Sequence, residues 1–239
     1  MNRNLKASPM KNPIILALDV DTRDQALRIA DDLSDIVGGF KLGPRLCLRY
    51  GMDFVKEMGE RGPIFLDNKH FDIPSTMEAA VRASFEAGAS LVTVHALSGA
   101  EALRKMAEVE RELNQQRPFR ILAVTILTSW DQNSLPVNLK PMPVAEHVTT
   151  LASMVQDSGL SSVVCSPHEL DLLQNRGLYL VTPGIRTSMQ ASGDQKRIMG
   201  PQEALQLGAS ALVVGRPILE AKDIKQAATE FVMAVYEEK

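Results

Sequence analysis

The run Ile14-Ile15-Leu16-Ala17-Leu18-Asp19 sets five apolar residues in succession and closes them with a carboxylate. A run this short, unbroken by polar residues, fits a strand covered on both faces, which is the environment of a parallel sheet. The segment after it, Thr22 to Val37, places Ala26, Ile29, Ala30 and Leu33 on one face of a helix. The same pair of elements recurs down the chain. Candidate strands are Ile14-Asp19, Gly39-Gly43, Ile64-Lys69, Leu91-Ala96, Arg120-Thr128, Ser162-Ser166, Leu180-Gly184 and Ala211-Gly215. Helical patterns lie between them. They cover Pro44 to Glu60 (the weakest), Ser75 towards Gly88, Ala100 to Asn114, Val144 to Asp157, Pro167 to Asn175, Pro201 to Leu207 and Pro217 to Glu237. Ser75-Thr76-Met77-Glu78 has the form of a capping box.

Eight strand–helix units in 239 residues predict an α/β fold, a single-domain (β/α)8 TIM barrel. An open doubly wound sheet would require a Gly-rich turn after the first strand, and none follows Asp19. No Pro/Ser linker divides the chain. Residues 1–12 therefore read as a polar N-terminal extension and residues 13–239 as the barrel, with Trp130 to Pro143 a long βα loop.

Composition narrows the function. With 45% hydrophobic residues and 23% charged, the chain has enough apolar side chains for a full core, which excludes a disordered or disulfide-stapled protein. The net charge of -3 offers no basic field for a nucleic-acid backbone. The apolar run Ile14 to Leu18 is too short for a signal core or a membrane span. Cys47 and Cys165 stand apart in apolar surroundings and belong to no metal spacing, so two buried thiols in a cytoplasmic protein are expected.

In such a barrel the chemistry collects at the C-terminal ends of the strands. Those positions hold Asp19, Lys41, Asp67, Lys69, Asp72, His95, Thr128, Gly184 to Arg186 and Gly215-Arg216. Uncompensated charge is costly to bury, so several ionisable strand ends aimed at one mouth require an explanation. Side chains alternate along a strand, so Asp67 and Lys69 share a face and Asn68 points away. Alone, that pair also fits a salt bridge plugging the barrel. Lys41 adds a second ammonium in the same confined place, and alternating carboxylates and ammoniums form a candidate site on electrostatic grounds. The strand-7 and strand-8 ends, Val181-Thr182-Pro183-Gly184-Ile185-Arg186 and Val213-Val214-Gly215-Arg216-Pro217, each bring Gly close to Arg, as a phosphate site would need. Thr187 to Lys196 between them has the composition of a mobile lid. His95 fits either a reacting group or a hydrogen-bonded core histidine, and Thr125, Thr128 and Ser129 fit strand-end hydroxyls.

These residues resemble the orotidine 5'-phosphate decarboxylase family. The resemblance rests on Leu16-Ala17-Leu18-Asp19, Phe40-Lys41-Leu42-Gly43 and Asp67-x-Lys69-x-x-Asp72-Ile73-Pro74-x-Thr76. It continues through Val94-His95-Ala96, Leu127-Thr128-Ser129, Thr182-Pro183-Gly184-Ile185-Arg186, Gly193-Asp194-Gln195-Lys196-Arg197 and Val214-Gly215-Arg216-Pro217. The motifs run in order from Ile14 to Ile218, and the D-x-K-x-x-D-I-P-x-T block is the most specific. Asn68 where the family has an apolar residue, and His70-Phe71 in reversed order, leave every charged position intact.

The resemblance implies conversion of orotidine 5'-phosphate to UMP and carbon dioxide without metal or cofactor. It implies that Lys69 protonates C6, that Asp67 lies beside the substrate carboxylate, and that Lys41 and Asp72 complete the charged network. Asp19 and Lys41 would hold ribose hydroxyls, Thr128 the pyrimidine edge, and Arg186, Gln195, Gly215 and Arg216 the phosphate. Asp72 and Thr76 would reach a neighbouring subunit's site, so a homodimer is expected. Nucleic acid and membrane are not expected partners. Two rivals remain. A magnesium-dependent sugar-phosphate decarboxylase or synthase of the same barrel type would place a carboxylate where Lys41 stands, and an ammonium there opposes a divalent cation. A silent phosphate-binding barrel would leave Lys41, Asp67, Lys69 and Asp72 without a purpose.

Overall fold

The computed structural model describes residues 10–186 and 199–236. Eight parallel strands close into one barrel in chain order: β1 Ile14–Ala17, β2 Gly39–Leu42, β3 Ile64–His70, β4 Ala89–His95, β5 Arg120–Val124, β6 Ser162–Val164, β7 Tyr179–Pro183 and β8 Ala211–Val214. Closure is made by β1 against β8, with Ile15 opposite Val213. The helices are α1 Arg23–Leu33, α2 Pro44–Gly59, α3 Pro74–Glu86, α4 Gly99–Leu113, α5 Val144–Asp157, α6 Leu170–Leu173, α7 Pro201–Gln206, α8 Arg216–Leu219 and α9 Ile224–Tyr236. The expected (β/α)8 architecture is present.

The alternation of strand side chains divides the core in two. Outward residues such as Leu16, Phe40, Leu66, Val92 and Leu212 pack under the helices. Inward residues Ile15, Ala17, Phe65, Leu91, Leu122, Tyr179, Val181, Ala211 and Val213 fill the barrel. Each fully buried aliphatic or aromatic side chain contributes roughly 1.5–3 kcal/mol, so these two layers are the main source of stability. Stepping by two residues up the inward face leads from Ala17 to Asp19, from Phe65 to Asp67, from Leu91 to Thr93 and from Val213 to Gly215. The barrel thus passes from an apolar floor to a polar mouth within one side-chain repeat.

Local differences from the expected elements have identifiable causes. The capping box at Ser75 is not made: α3 starts at Pro74, whose fixed φ suits a first helical position, and Ile73 is the N-cap without a side-chain bond. Glu78 instead pairs with Arg82 at 2.9 Å and Lys105 at 3.0 Å. β5 ends at Val124 rather than Thr128, because its neighbour β6 has only three residues and pairs only with Ala123 and Val124. The segment from Pro167 forms a 3-10 turn, the short α6 and a second 3-10 turn. The single final helix expected from Pro217 is two, since Asp223 accepts from the Gln226 N–H at 2.9 Å and opens α9. The weak pattern of α2 corresponds to a break at Gly51, whose φ of 69° places it outside the helical region.

Candidate active site

The C-terminal mouth of the barrel holds a cavity of about 560 Å³. Asp19, Lys41, Asp67 and Lys69 line one side, and Gly184, Arg186, Gly215 and Arg216 another. Thr128 and Ser129 border it, with Phe65, Val124, Leu127, Val164 and Val181 among its apolar residues. A cavity of this size, apolar with a few convergent charges, has the character of a small-molecule site.

Asp67 organises the charged side. Its Oδ1 accepts from Lys69 Nζ at 2.8 Å and from the Thr93 hydroxyl at 3.0 Å. Its Oδ2 lies 3.5 Å from Lys41 Nζ, which in turn lies 3.6 Å from Asp19 Oδ1. The Lys41 and Asp67 side chains are only 13% and 15% exposed, so their charges act on each other with weak solvent screening. Burial pushes the Asp67 carboxyl up. The charges of Lys41 and Lys69 and the bonds from Lys69 and Thr93 outweigh that push and hold it below the usual carboxylate range.

The backbone carrying these groups is irregular. Between Leu66, opposite Val92, and His70, opposite Val94, three residues of β3 (Asp67, Asn68 and Lys69) stand where β4 has one, Thr93. This bulge bears Asp67 and Lys69, and bulges commonly re-aim side chains beside active sites. Lys69 has φ 48°, the single non-glycine residue with positive φ among those described. Such a conformation costs about 1–3 kcal/mol and persists only where its surroundings fix it. The Lys69 N–H donates to Thr93 Oγ1 at 2.9 Å, and the charged bond of its side chain to Asp67, of a kind worth about 1.5–3 kcal/mol, offsets the strain.

On the arginine side, Gly184 follows β7 with φ 87°, a value that lets the chain turn so that Ile185 is buried and Arg186 lines the cavity. The Arg186 N–H donates to the Met199 carbonyl at 3.2 Å. Arg186 and Arg216 together also border a second hollow of about 320 Å³, so both guanidiniums stand at one edge of the mouth.

Asp72 and Thr76 are placed elsewhere. With Asn68, His70 and Phe71 they line another surface hollow of about 290 Å³, which meets the cavity at Lys69, a residue that borders both. The Asp72 carboxylate accepts from the Ile73 N–H at 2.7 Å and forms no ion pair with Lys41 or Lys69 of its own chain. Asn68 is absent from the lining of the main cavity and borders the second hollow beside Lys69. Its Oδ1 and the His70 Nε2 are buried without hydrogen-bond partners. Gln195 and the expected lid, Thr187 to Lys196, lie outside the described residues. His95 is buried, and its Nδ1 accepts from the Leu97 N–H at 3.3 Å, the core-histidine arrangement. Cys47 and Cys165 are buried thiols pushed up by burial to about 11 and about 12. Thr93 was not among the residues that strand ends single out, although the alternation Leu91-Thr93-His95 on β4 places its hydroxyl inside the barrel.

Fold and site together define a (β/α)8 barrel enzyme class with a lysine–aspartate array at one side of the mouth and paired arginines at the other. The family described as Orotidine 5'-phosphate decarboxylase / HUMPS matches residues 12–231, and the chain belongs to it. A protein of Vibrio vulnificus (strain CMCP6) named orotidine 5'-phosphate decarboxylase is 42% identical over 215 residues, covering 88% of this chain and 92% of that protein. One of the same name from Parasynechococcus marenigrum (strain WH8102) is 43% identical over 225 residues, 91% of either chain. The crystal structure of orotidine 5'-phosphate decarboxylase from Lactobacillus acidophilus superposes with a TM-score of 0.81 at 33% identity, covering 95% of this chain and all of that one. Among the described residues no helix is long and apolar enough to cross a membrane.

Proposed function

We propose that this chain decarboxylates orotidine 5'-phosphate to UMP and carbon dioxide in pyrimidine biosynthesis, without metal or cofactor. Family membership and the names of its relatives support that reading. The observation that carries the mechanism is the pair of ammonium groups, Lys41 and Lys69, held 3.5 and 2.8 Å from the Asp67 carboxylate in the cavity. When the C6–carboxylate bond breaks, its electron pair stays on C6, where no adjacent carbonyl accepts it directly. Lys69 Nζ stabilises that pair and supplies the proton that makes the new C6–H bond, then recovers a proton from solvent. Asp67 beside the substrate carboxylate disfavours the charged ground state and holds Lys69 in place.

The remaining residues bind. Asp19 and Lys41 take the ribose hydroxyls, Thr128 the pyrimidine edge, and Arg186, Arg216, Gly215 and Gln195 the phosphate. The two arginines are suited to this because a guanidinium fork matches phosphate oxygens.

A homodimer completes the site. The face bearing Asp72 and Thr76 exposes Phe71 (61%) and Ile73 (63%) and includes the two unpartnered buried atoms of Asn68 and His70. A second copy covering that face would bury the apolar pair and bring Asp72 and Thr76 to the neighbouring cavity. The two buried thiols suit a reducing, cytoplasmic setting.

The test is the loss of orotidine 5'-phosphate absorbance with a chelator present, run beside Lys69→Ala. Turnover to UMP that survives chelation and collapses in the variant is expected. Well-folded protein without turnover would overturn the reading. Sugar phosphates with magnesium would then be offered, although Lys41 occupies a place where that chemistry needs a carboxylate.

A further inference from the structure

We propose that Thr93 is a positioning residue of the reaction: through one hydroxyl it fixes both the backbone of Lys69 and the carboxylate of Asp67. The inference rests on the decarboxylase reading above. Thr93 sits in mid-β4, fully buried, one inward step above Leu91. Its oxygen accepts the Lys69 N–H at 2.9 Å and its hydrogen goes to Asp67 Oδ1 at 3.0 Å.

Both bonds fall where the sheet gives no support. The β3–β4 register is interrupted between Leu66 and His70, so the Lys69 amide lies in the break of the strand ladder, at positive φ. A hydroxyl is suited to this place because it accepts and donates at once, whereas an apolar side chain does neither. Asp67 Oδ1 then receives two donors, Thr93 and Lys69 Nζ, which fix the direction from which the lysine approaches it. Thr93 bridges the main chain of the proposed acid and the side chain of its partner, and is not among the residues that line the cavity.

The consequence is a split in kinetics. Loss of the bridge lets Lys69 and Asp67 drift relative to C6, and misplacement of about 1 Å can cost on the order of a hundredfold in rate. The phosphate and ribose contacts stay in place, so ground-state binding changes little. The groups facing Asp67 are Lys41 from β2, Lys69 from β3 and Thr93 from β4, with Asp19 behind Lys41 and His95 on the same side as Lys69.

The experiment compares Thr93→Val, which keeps shape and removes both bonds, with Thr93→Ser, which keeps the hydroxyl. In Thr93→Val kcat should fall about tenfold to a hundredfold while KM moves less than about threefold. The acidic limb of kcat/KM should shift to higher pH, because the Asp67 carboxylate has lost a donor. Thr93→Ser should recover most of both. Val activity and pH profile within twofold of the parent would overturn the proposal, and so would a Ser variant as impaired as Val. If Thr93→Val does not fold, Thr93→Cys, similar in size and a weak hydrogen-bonding group, replaces it with the same expected direction and the same overturning result. Carbon-13 NMR titration of Asp67 needs no turnover. Its apparent pKa should rise in Val and return in Ser, even if the parent protein proves inactive on orotidine 5'-phosphate; an unmoved titration in Val overturns the bridge by itself.

Discussion

Lys69 Nζ lies 2.8 Å from Asp67 Oδ1, although the two residues are separated by only one position on a strand that bulges between them. The bulge makes an intimate ion pair from an i, i+2 relationship, at the cost of a left-handed lysine. A strained backbone at a pair of charged residues marks where the fold gives up regularity for reactivity.

Lys69→Ala removes the proposed proton donor and one of the two ammoniums beside Asp67. A positioned general acid is worth about 10²–10⁴-fold, and kcat should fall by at least that much. Steady-state kinetics on orotidine 5'-phosphate check this. A variant retaining a tenth of the parent rate would remove Lys69 from the mechanism.

Arg216→Ala tests the proposed phosphate end of the cavity. A hydrogen bond to a charged group is worth about 1.5–3 kcal/mol, so kcat/KM should drop roughly ten- to a hundredfold. Arg186→Ala should behave alike, since both guanidiniums border the same edge of the mouth. Unchanged kcat and kcat/KM would argue against a phosphate there.

Phe71→Asp places a charge in the exposed apolar face beside Asp72 and Thr76. Sedimentation should show the proposed dimer giving way to monomer, with activity lost in parallel, as the proposed reach of Asp72 and Thr76 into the neighbouring site requires. An active monomer would break the link between assembly and catalysis.

Glu110 offers a test of stability away from the site. Burial pushes its carboxyl up to about 7, while the Ile121 N–H bond at 2.7 Å and the nearby Arg120 and Arg111 oppose the shift. Between pH 4.5 and about 7 the folded chain keeps a proton that the unfolded chain has released, so stability falls as pH rises through that window. Glu110→Gln keeps an oxygen for the Ile121 N–H and cannot ionise. Urea unfolding at pH 5 and pH 8 should show a smaller difference for the variant than for the parent. Equal slopes would place the Glu110 carboxyl back near its ordinary range.

Local patterning carried far in this chain. Ile14 to Ala17 and Leu212 to Val214 are strands because apolar residues covered on both sides fit no other place, and the strand-end positions Asp19, Lys41, Asp67, Lys69, Arg186 and Arg216 do share one cavity. The errors arose where a local signal had a tertiary competitor. Ser75 carries capping-box chemistry, but Pro74 took the first helical position and Arg82 and Lys105 took Glu78. The residues after Val124 are as apolar as a strand, yet β6 offers them no partner.

The eight-fold repeat, the polar strand ends and the charged block from Asp67 to Asp72 are legible in local patterning, because periodicity and charge are properties of neighbours along the chain. The three-dimensional packing alone decided that β3 bulges against β4, that Thr93 reaches both Lys69 and Asp67, and that Asp72 and Thr76 line the adjoining hollow rather than the cavity itself. Register and bulge depend on which strand lies alongside, and Thr93 is 24 residues from Lys69 in the chain. Local sequence does not encode a distance between residues that meet only when the barrel closes.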